Sequence, residues 1–304
     1  MVTKTPYVIA EAGSCGDSNL DKMIQQVEEC AGAGADAVKF QWTSNPFAMA
    51  KRRGKALSAG YAGVYKKYIA WPEAWHKELS NRCNELDIDY MCAVYLEQDV
   101  EVIAPYVAHY KISSFEALDR SLYSATDSYR REGQLLFVSV GMCSDSEIRT
   151  IQSHIEANAI HYARLLYCVS AYPAPLESLD LYKIQSLNLA GFSDHTNPNY
   201  ITSGMIGFLC GADYIEAHMR LETTDTSNPD FKHAMTCDEL AEYIGEIRIG
   251  ALSLGGKRSE RYIIKLSKDS QKIMNRKAEA ESLMSQYRVL NRPSLIDRGG
   301  KESA

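Results

Sequence analysis

The chain has 304 residues, 33 Lys and Arg against 39 Asp and Glu, and a formal net charge of -6. Its 45% apolar and 24% charged residues are ordinary globular values, so a full core can form. The acidic balance excludes a general nucleic-acid or membrane-surface binder.

The N-terminal run MVTKTPYVIAEAG has no long apolar stretch, so no signal peptide is expected. Tyr7–Glu11 reads as a first strand. Leu20–Ala31 reads as a helix, with Ser18-Asn19 to cap it and Gly32 and Gly34 to end it. Ala37–Gln41 is a second strand. Thr43–Ala70 then reads as a long loop carrying Lys51, Arg52, Arg53, Lys55, Lys66 and Lys67. A loop of that length is usually functional or disordered. Pro72–Leu86 opens with Pro in the first turn, as helices allow.

Strand Asp89–Val94, helix Glu97–Ala104, strand His109–Ser113 and helix Leu118–Tyr129 follow. Next come strand Leu135–Val140 and helix Ser144–Ala157, which opens on Ser-Asp-Ser-Glu. Strand Arg164–Cys168, helix Leu176–Leu187, strand Ala190–Ser193, helix Tyr200–Leu209, strand Tyr214–His218 and helix Cys237–Leu254 complete the alternation. Most strands are continuous apolar runs, as for parallel strands buried on both faces. Eight strands alternating with helices predict an α/β fold, a single (β/α)8 TIM barrel over residues 1–254. A doubly wound open sheet is the alternative, weakened because no Gly-rich dinucleotide loop follows the first strand. Gly255–Ala304 reads as a short C-terminal tail with a helix-like centre, Lys265–Tyr287, and not as a separate domain.

Eight cysteines share no CxxC spacing and mostly sit in apolar runs, so buried reduced thiols are expected. No stretch reaches the roughly 18 apolar residues of a membrane span. A cytoplasmic protein is expected.

In a barrel the chemistry gathers at the C-terminal strand ends. Those ends carry Glu11, Lys39, Gln41, Lys111, Ser113, Ser114, Glu116, Ser139, Tyr172, Ser193, Asp194, His195, Glu216 and His218. A charge in an apolar strand is costly unless it is paired or binds something. Any one of these residues reads equally as a structural ion pair. Their convergence on one rim favours a site. Lys39 and Lys111 suit a doubly acidic substrate, or one of them a Schiff base. His195 and His218, on adjacent strand ends, suit a transition metal, although a lone histidine is more often a satisfied core residue. Asp230 and His233 lie on a following loop that could reach the same place.

In order, PYVIAEAG, GADAVKFQ, YKISSFE, VSVGM, YPAP, GFSDHT and IEAHM resemble the sialic acid synthase (N-acetylneuraminate synthase) family. The series runs from about Pro6 to Glu246, and SDHT with the strand-eight histidine is its strongest part. The resemblance implies a metal-assisted, aldol-type condensation of phosphoenolpyruvate with the aldehyde of an N-acetylated amino sugar. It implies His195 and His218 as ligands of a divalent metal, Mn or Mg, with Co also admissible. It places Lys39, Gln41, Lys111, Ser114, Ser139 and Ser193 on phosphoenolpyruvate, and Tyr172 and Asp230 on the sugar. Glu116 and Glu11 match carboxylates that act in catalysis, Glu116 in proton movement. A homodimer is common in the family. A non-catalytic barrel acting as a binding or regulatory partner and a Schiff-base barrel aldolase remain as alternatives.

The chain departs from the family pattern at three places. Ser14-Cys15-Gly16 stands where Asn-His is usual, CAVYL where STPFD is usual (so Ala93 replaces a Thr), and SVGM for STGM. The tail also shows no counterpart of the family's C-terminal antifreeze-like domain. The loop Thr43–Ala70 is the segment expected to cap the barrel in its place.

Overall fold

A computed structural model describes residues 5–53 and 59–253 of the chain. The expected tail, Gly255–Ala304, lies outside the described residues, as does part of the expected loop.

Eight parallel strands close a barrel in sequence order. They are β1 (Tyr7–Gly13), β2 (Ala37–Gln41), β3 (Asp89–Ala93), β4 (His109–Ile112), β5 (Leu136–Ser139), β6 (Ala163–Tyr167), β7 (Gly191–Asp194) and β8 (Tyr214–His218). The (β/α)8 expectation therefore holds, with every strand within a residue or two of its expected bounds.

The helices around them are α1 (Leu20–Ala33), α2 (Pro46–Arg52), α3 (Ala59–Tyr68), α4 (Trp75–Glu85), α5 (Glu97–Ile103) and α6 (Arg120–Tyr129). They continue with α7 (Asp145–Ala157), α8 (Lys183–Ser186), α9 (Ser203–Leu209) and α10 (Cys237–Ser253). Asn19 caps α1 through the Lys22 amide, and Gly34 ends it in the left-handed conformation. Ser144 and Glu147 form a full capping box on α7.

Two expectations change. Thr43–Ala70 is not a bare loop, because it contains α2 and α3. Asn45 caps α2 on the Ala48 amide and Pro46 fills its first turn, where no donor is needed. The expected helix Leu176–Leu187 is instead a 3-10 turn, Leu176–Ser178, and the single turn of α8. Between them Leu179 is extended. The Asp180 amide donates to the Tyr167 hydroxyl at 2.8 Å rather than to a helical carbonyl.

Side chains alternate across each strand, so the barrel has two faces. Outward residues such as Val8, Ala10, Val38, Tyr90, Tyr110, Leu136, Val138, Phe192 and Ile215 pack under the helices. Inward, Ile9, Ala37, Met91, Phe137 and Leu166 plug the barrel, with Tyr7, Leu135 and Tyr214 against them. Above this plug the inward positions turn polar. Glu11 pairs in register with both Lys39 and His218, and Ser193 pairs with Glu216. The polar layer is thus the next inward row, resting on an apolar floor.

Gly191 opens β7 with no room for a side chain, since a Cβ there would stand 2.3 Å from the Tyr214 carbonyl oxygen. Gly191→Ala is expected to cost about 3 kcal/mol of stability, read by urea unfolding, because backbone rather than a flexible side chain must move. All eight cysteines are free. No helix among the described residues is long and apolar enough to cross a membrane.

Candidate active site

A cavity of about 310 Å³ opens at the C-terminal strand ends, at the lower end of the about 300–1,000 Å³ usual for small-molecule sites. Glu11, Lys39, Gln41, Lys111, Ser114, Ser139, Tyr172, Ser193, His195, His218 and Asp230 line it. Of the residues expected at or near the site, Glu116, Asp194 and His233 are not on its wall. Glu116 sits behind Arg53, which is, and Asp194 is turned to Ser203 and Tyr243.

The floor of the cavity is a buried charge network. Lys39 pairs with Glu11, and its Nζ lies 3.6 Å from Glu216. The Lys111 ammonium donates to both Glu216 oxygens, at 2.7 and 2.8 Å. Ser193 donates to Glu216 at 2.8 Å, and the Gln41 amide donates to Glu11 at 2.7 Å. The Tyr95 hydroxyl in turn donates to Gln41 at 3.0 Å.

Burial and pairing compete over each group. Burial would raise Glu216, but Lys111 and Lys39 outweigh it and take the carboxyl down to about 2. For Glu11 burial wins over Lys39, and the pKa is raised. Burial lowers Lys111 despite Glu216, whereas Glu11 and Glu216 together outweigh burial and raise Lys39. Glu216 was visible at its strand end without a role. Its position two residues before His218 on one strand was the signal that it faces inward.

Three histidines meet above this floor. His218 lies between His195, at 5.5 Å between ring centroids, and His233, at 4.4 Å. The Tyr172 ring lies over His195 at 4.4 Å and is 52% exposed to the mouth. His195 Nδ1 is 2.7 Å from the Val169 carbonyl oxygen, which can only accept. Nδ1 therefore carries the proton, and Nε2 keeps a lone pair toward the site. Burial takes His195 down to about 4 and His218 well below the usual histidine range. Both rings are neutral at pH 7, as metal ligation requires.

The His195 shift also sets a stability dependence on pH. An unfolded histidine titrates near 6.5, so between about pH 6.5 and 4 the unfolded chain binds more protons. Stability is then complete above about 6.5 and is lost as pH falls toward 4, by about 3 kcal/mol for the full shift. Urea unfolding of chelator-treated protein should show that loss, and His195→Phe should make the pH dependence shallower while leaving the share that His218 contributes.

Donor atoms of His218, Asp230 and His233 lie within 4.8 Å of one another. Asp230 is fixed by the departure at Ser14-Cys15-Gly16. Ser14 donates to its Oδ2 from both the amide, at 2.9 Å, and the hydroxyl, at 2.8 Å. Asn228 holds Ser14 in turn. Gly13, with φ +52, is required here, because a Cβ would stand 2.6 Å from that same Asp230 oxygen.

Glu116 receives Arg53 through two nitrogens, at 2.5 and 2.8 Å, and Ser113 hydrogen-bonds to it. Arg53 also donates to the Tyr65 hydroxyl at 2.7 Å. It packs against the rings of Tyr65, Tyr95 and Phe115. Arg53 and Tyr65 both line the cavity. The residues read as a long loop therefore reach the barrel mouth. Ser114 accepts from the Gly141 amide at 3.2 Å.

The sequence profile of the NeuB family matches residues 26–259. The chain belongs to the NeuB family. As a member it is an enzyme of the sialic-acid-synthase type. It is 28% identical over 268 residues to an N,N'-diacetyllegionaminic acid synthase of Legionella pneumophila, covering 83% of this chain and 74% of the relative. A pseudaminic acid synthase of Campylobacter jejuni is 25% identical over 266 residues, covering 83% and 76%. In fold, the chain resembles an N-acetylneuraminic acid synthetase from Leptospira borgpetersenii crystallised with citrate. The TM-score is 0.74 at 24% identity, covering 91% of this chain and 92% of that one.

Proposed function

We propose that this NeuB-family chain condenses phosphoenolpyruvate with the open-chain aldehyde of an N-acetylated amino sugar, giving a sialic-acid-like 2-keto acid and phosphate. The observation that carries this is the buried pair Lys39 and Lys111, held ready by Glu11 and Glu216 beneath two neutral histidines. In the overall reaction, C3 of phosphoenolpyruvate bonds to the aldehyde carbon. A water oxygen bonds to C2, the C2–O bond to phosphorus breaks, and phosphate leaves.

In this reading Lys39 and Lys111 hold the phosphate and carboxylate of the three-carbon acid as point charges. Ser193, Ser139 and Ser114 add hydroxyls along the same wall, and Gln41 keeps Glu11 in place. His195 and His218 fit a divalent metal. Both are neutral, the His195 tautomer is set by Val169, and His218 Nδ1 is buried without a partner. Such an ion, when bound, supplies Lewis-acid polarisation of the acceptor oxygen. Glu11, raised by burial, is suited to hold a proton beside the three-carbon acid. Tyr172 offers an aromatic face to the sugar at the mouth, with Asp230 as a polar anchor.

The experiment is phosphate release from purified protein with Mn, phosphoenolpyruvate and N-acetylmannosamine or a related hexosamine. Release dependent on all components is expected. No release across a broad aldehyde panel would overturn the reading. One observation favours a second reading, a Schiff-base lysine, because burial lowers Lys111. Its contact with both Glu216 oxygens favours the ammonium instead. Borohydride trapping of a substrate on Lys111, with full activity in chelator, would select the Schiff base.

A further inference from the structure

We propose that His233 is a third imidazole ligand of a single metal centre, joining His218, with Asp230 adding an oxygen. This rests on the reading above, in which His195 and His218 hold a divalent ion.

His233 is 2% exposed, and neither of its ring nitrogens has a hydrogen-bond partner among the described residues. Any neutral imidazole carries one N–H donor and one lone pair. A buried polar group left without a partner is costly. The buried His76, away from the site, has one ring nitrogen against the Tyr90 hydroxyl at 2.7 Å, whereas His233 has neither paired. His233 instead packs edge-on against His218, whose Nδ1 is also buried and unpartnered. An imidazole unpaired at both nitrogens, beside a second unpaired at Nδ1, is an arrangement that a cation resolves and a solvent-free core does not.

Asp230 completes the group. Ser14 occupies its Oδ2, which leaves Oδ1 toward His233, 3.7 Å from Nε2. An oriented carboxylate beside ligating imidazoles is the usual support of a metal site. Donors about 2.1 Å from a shared ion stand within about 4 Å of each other. The present 4.8 Å limit among His218, Asp230 and His233 needs a contraction of under an ångström. His218, in contact with both His195 and His233, is the shared member.

The chemistry selects the ion. Added imidazoles favour Co, Fe or Zn over Mg, which prefers oxygen donors and retains its waters. A water bridging the three groups is the alternative occupant.

The test uses the full chain, stripped of metal and titrated with CoCl2 and with MgCl2 by calorimetry. Pulsed EPR of a Cu(II)-loaded sample counts coordinating nitrogens. One Co per chain is expected, bound at least about 100-fold more tightly than Mg. His233→Ala should weaken Co at least about tenfold and remove one nitrogen from the count. His233→Asn, which keeps a polar group, should do the same while retaining the wild-type circular dichroism. Unchanged Co affinity and nitrogen count in both variants, or two ions per chain, would overturn the proposal, leaving the His195–His218 reading intact. No Co binding by the unaltered chain would overturn both. If water fills the site, Co binds but the His233 variants match wild type.

Discussion

Lys111→Met is expected to reduce turnover by about three orders of magnitude or more, and to destabilise the fold as well. The two losses have different origins. Lys111 gives its ammonium to both Glu216 oxygens in a buried setting. Removing one partner of such a pair typically costs about 3–5 kcal/mol, because the remaining charge stays buried. Lys39, 3.6 Å from Glu216, offsets part of that cost. The double variant Lys111→Met, Glu216→Leu removes both charges and should recover most of the stability, since apolar replacements of a buried pair are often neutral. It should not recover turnover, because the cation for the three-carbon acid is still missing. Urea midpoints and phosphate-release rates on the wild type, single and double variants separate the two effects. Recovery of activity together with stability would reduce Lys111 to a structural ion.

That pair also shows where sequence reasoning ends. The inward row is legible, because Lys39 and Gln41, and likewise Glu216 and His218, share a strand at a spacing of two. Each strand's apolar run fixes which face carries the exceptions. The convergence on one rim follows from barrel closure. The pairing across the rim does not follow, since Lys111 and Glu216 are 105 positions apart and meet only through the barrel's curvature. Lone polar residues in apolar strands announce a site but not their partners. His233 was readable only as a loop residue, because the packing that strips its partners depends on where the chain after β8 returns. Leu176–Leu187 failed for a similar reason. Its helical pattern is interrupted by one tertiary hydrogen bond, from Asp180 to the Tyr167 hydroxyl. α2 begins on Asn45-Pro46, a proper helix start lying inside the basic run whose length and charge read as a loop.

Arg53→Met is the second large effect, and it comes from that same segment. Arg53 follows α2 and reaches the cavity wall, where it holds Glu116 through two nitrogens. It is boxed by three aromatic rings. Arg52, the preceding residue, binds Glu97 at 2.7 Å and also pairs with Asp119, tying α2 to the elements after β3 and β4. The chain therefore delivers a cation to the Glu116 carboxylate from its own β2–β3 connection. Without Arg53, Glu116 keeps only Ser113 among the described residues while remaining buried. A stability loss of about 3 kcal/mol is expected from the uncompensated carboxylate. If Glu116 moves protons in the reaction, kcat should fall about 100-fold or more, with KM for phosphoenolpyruvate changed far less. Arg53→Lys should not rescue it, since an ammonium cannot supply the two-nitrogen fork. Arg53→Met, Glu116→Leu should restore stability and stay inactive. A loss confined to KM for the acceptor would instead make Arg53 a contact for the sugar, released from Glu116 when the acceptor arrives. Steady-state kinetics with each substrate varied in turn distinguish the two, because only the first leaves acceptor binding untouched.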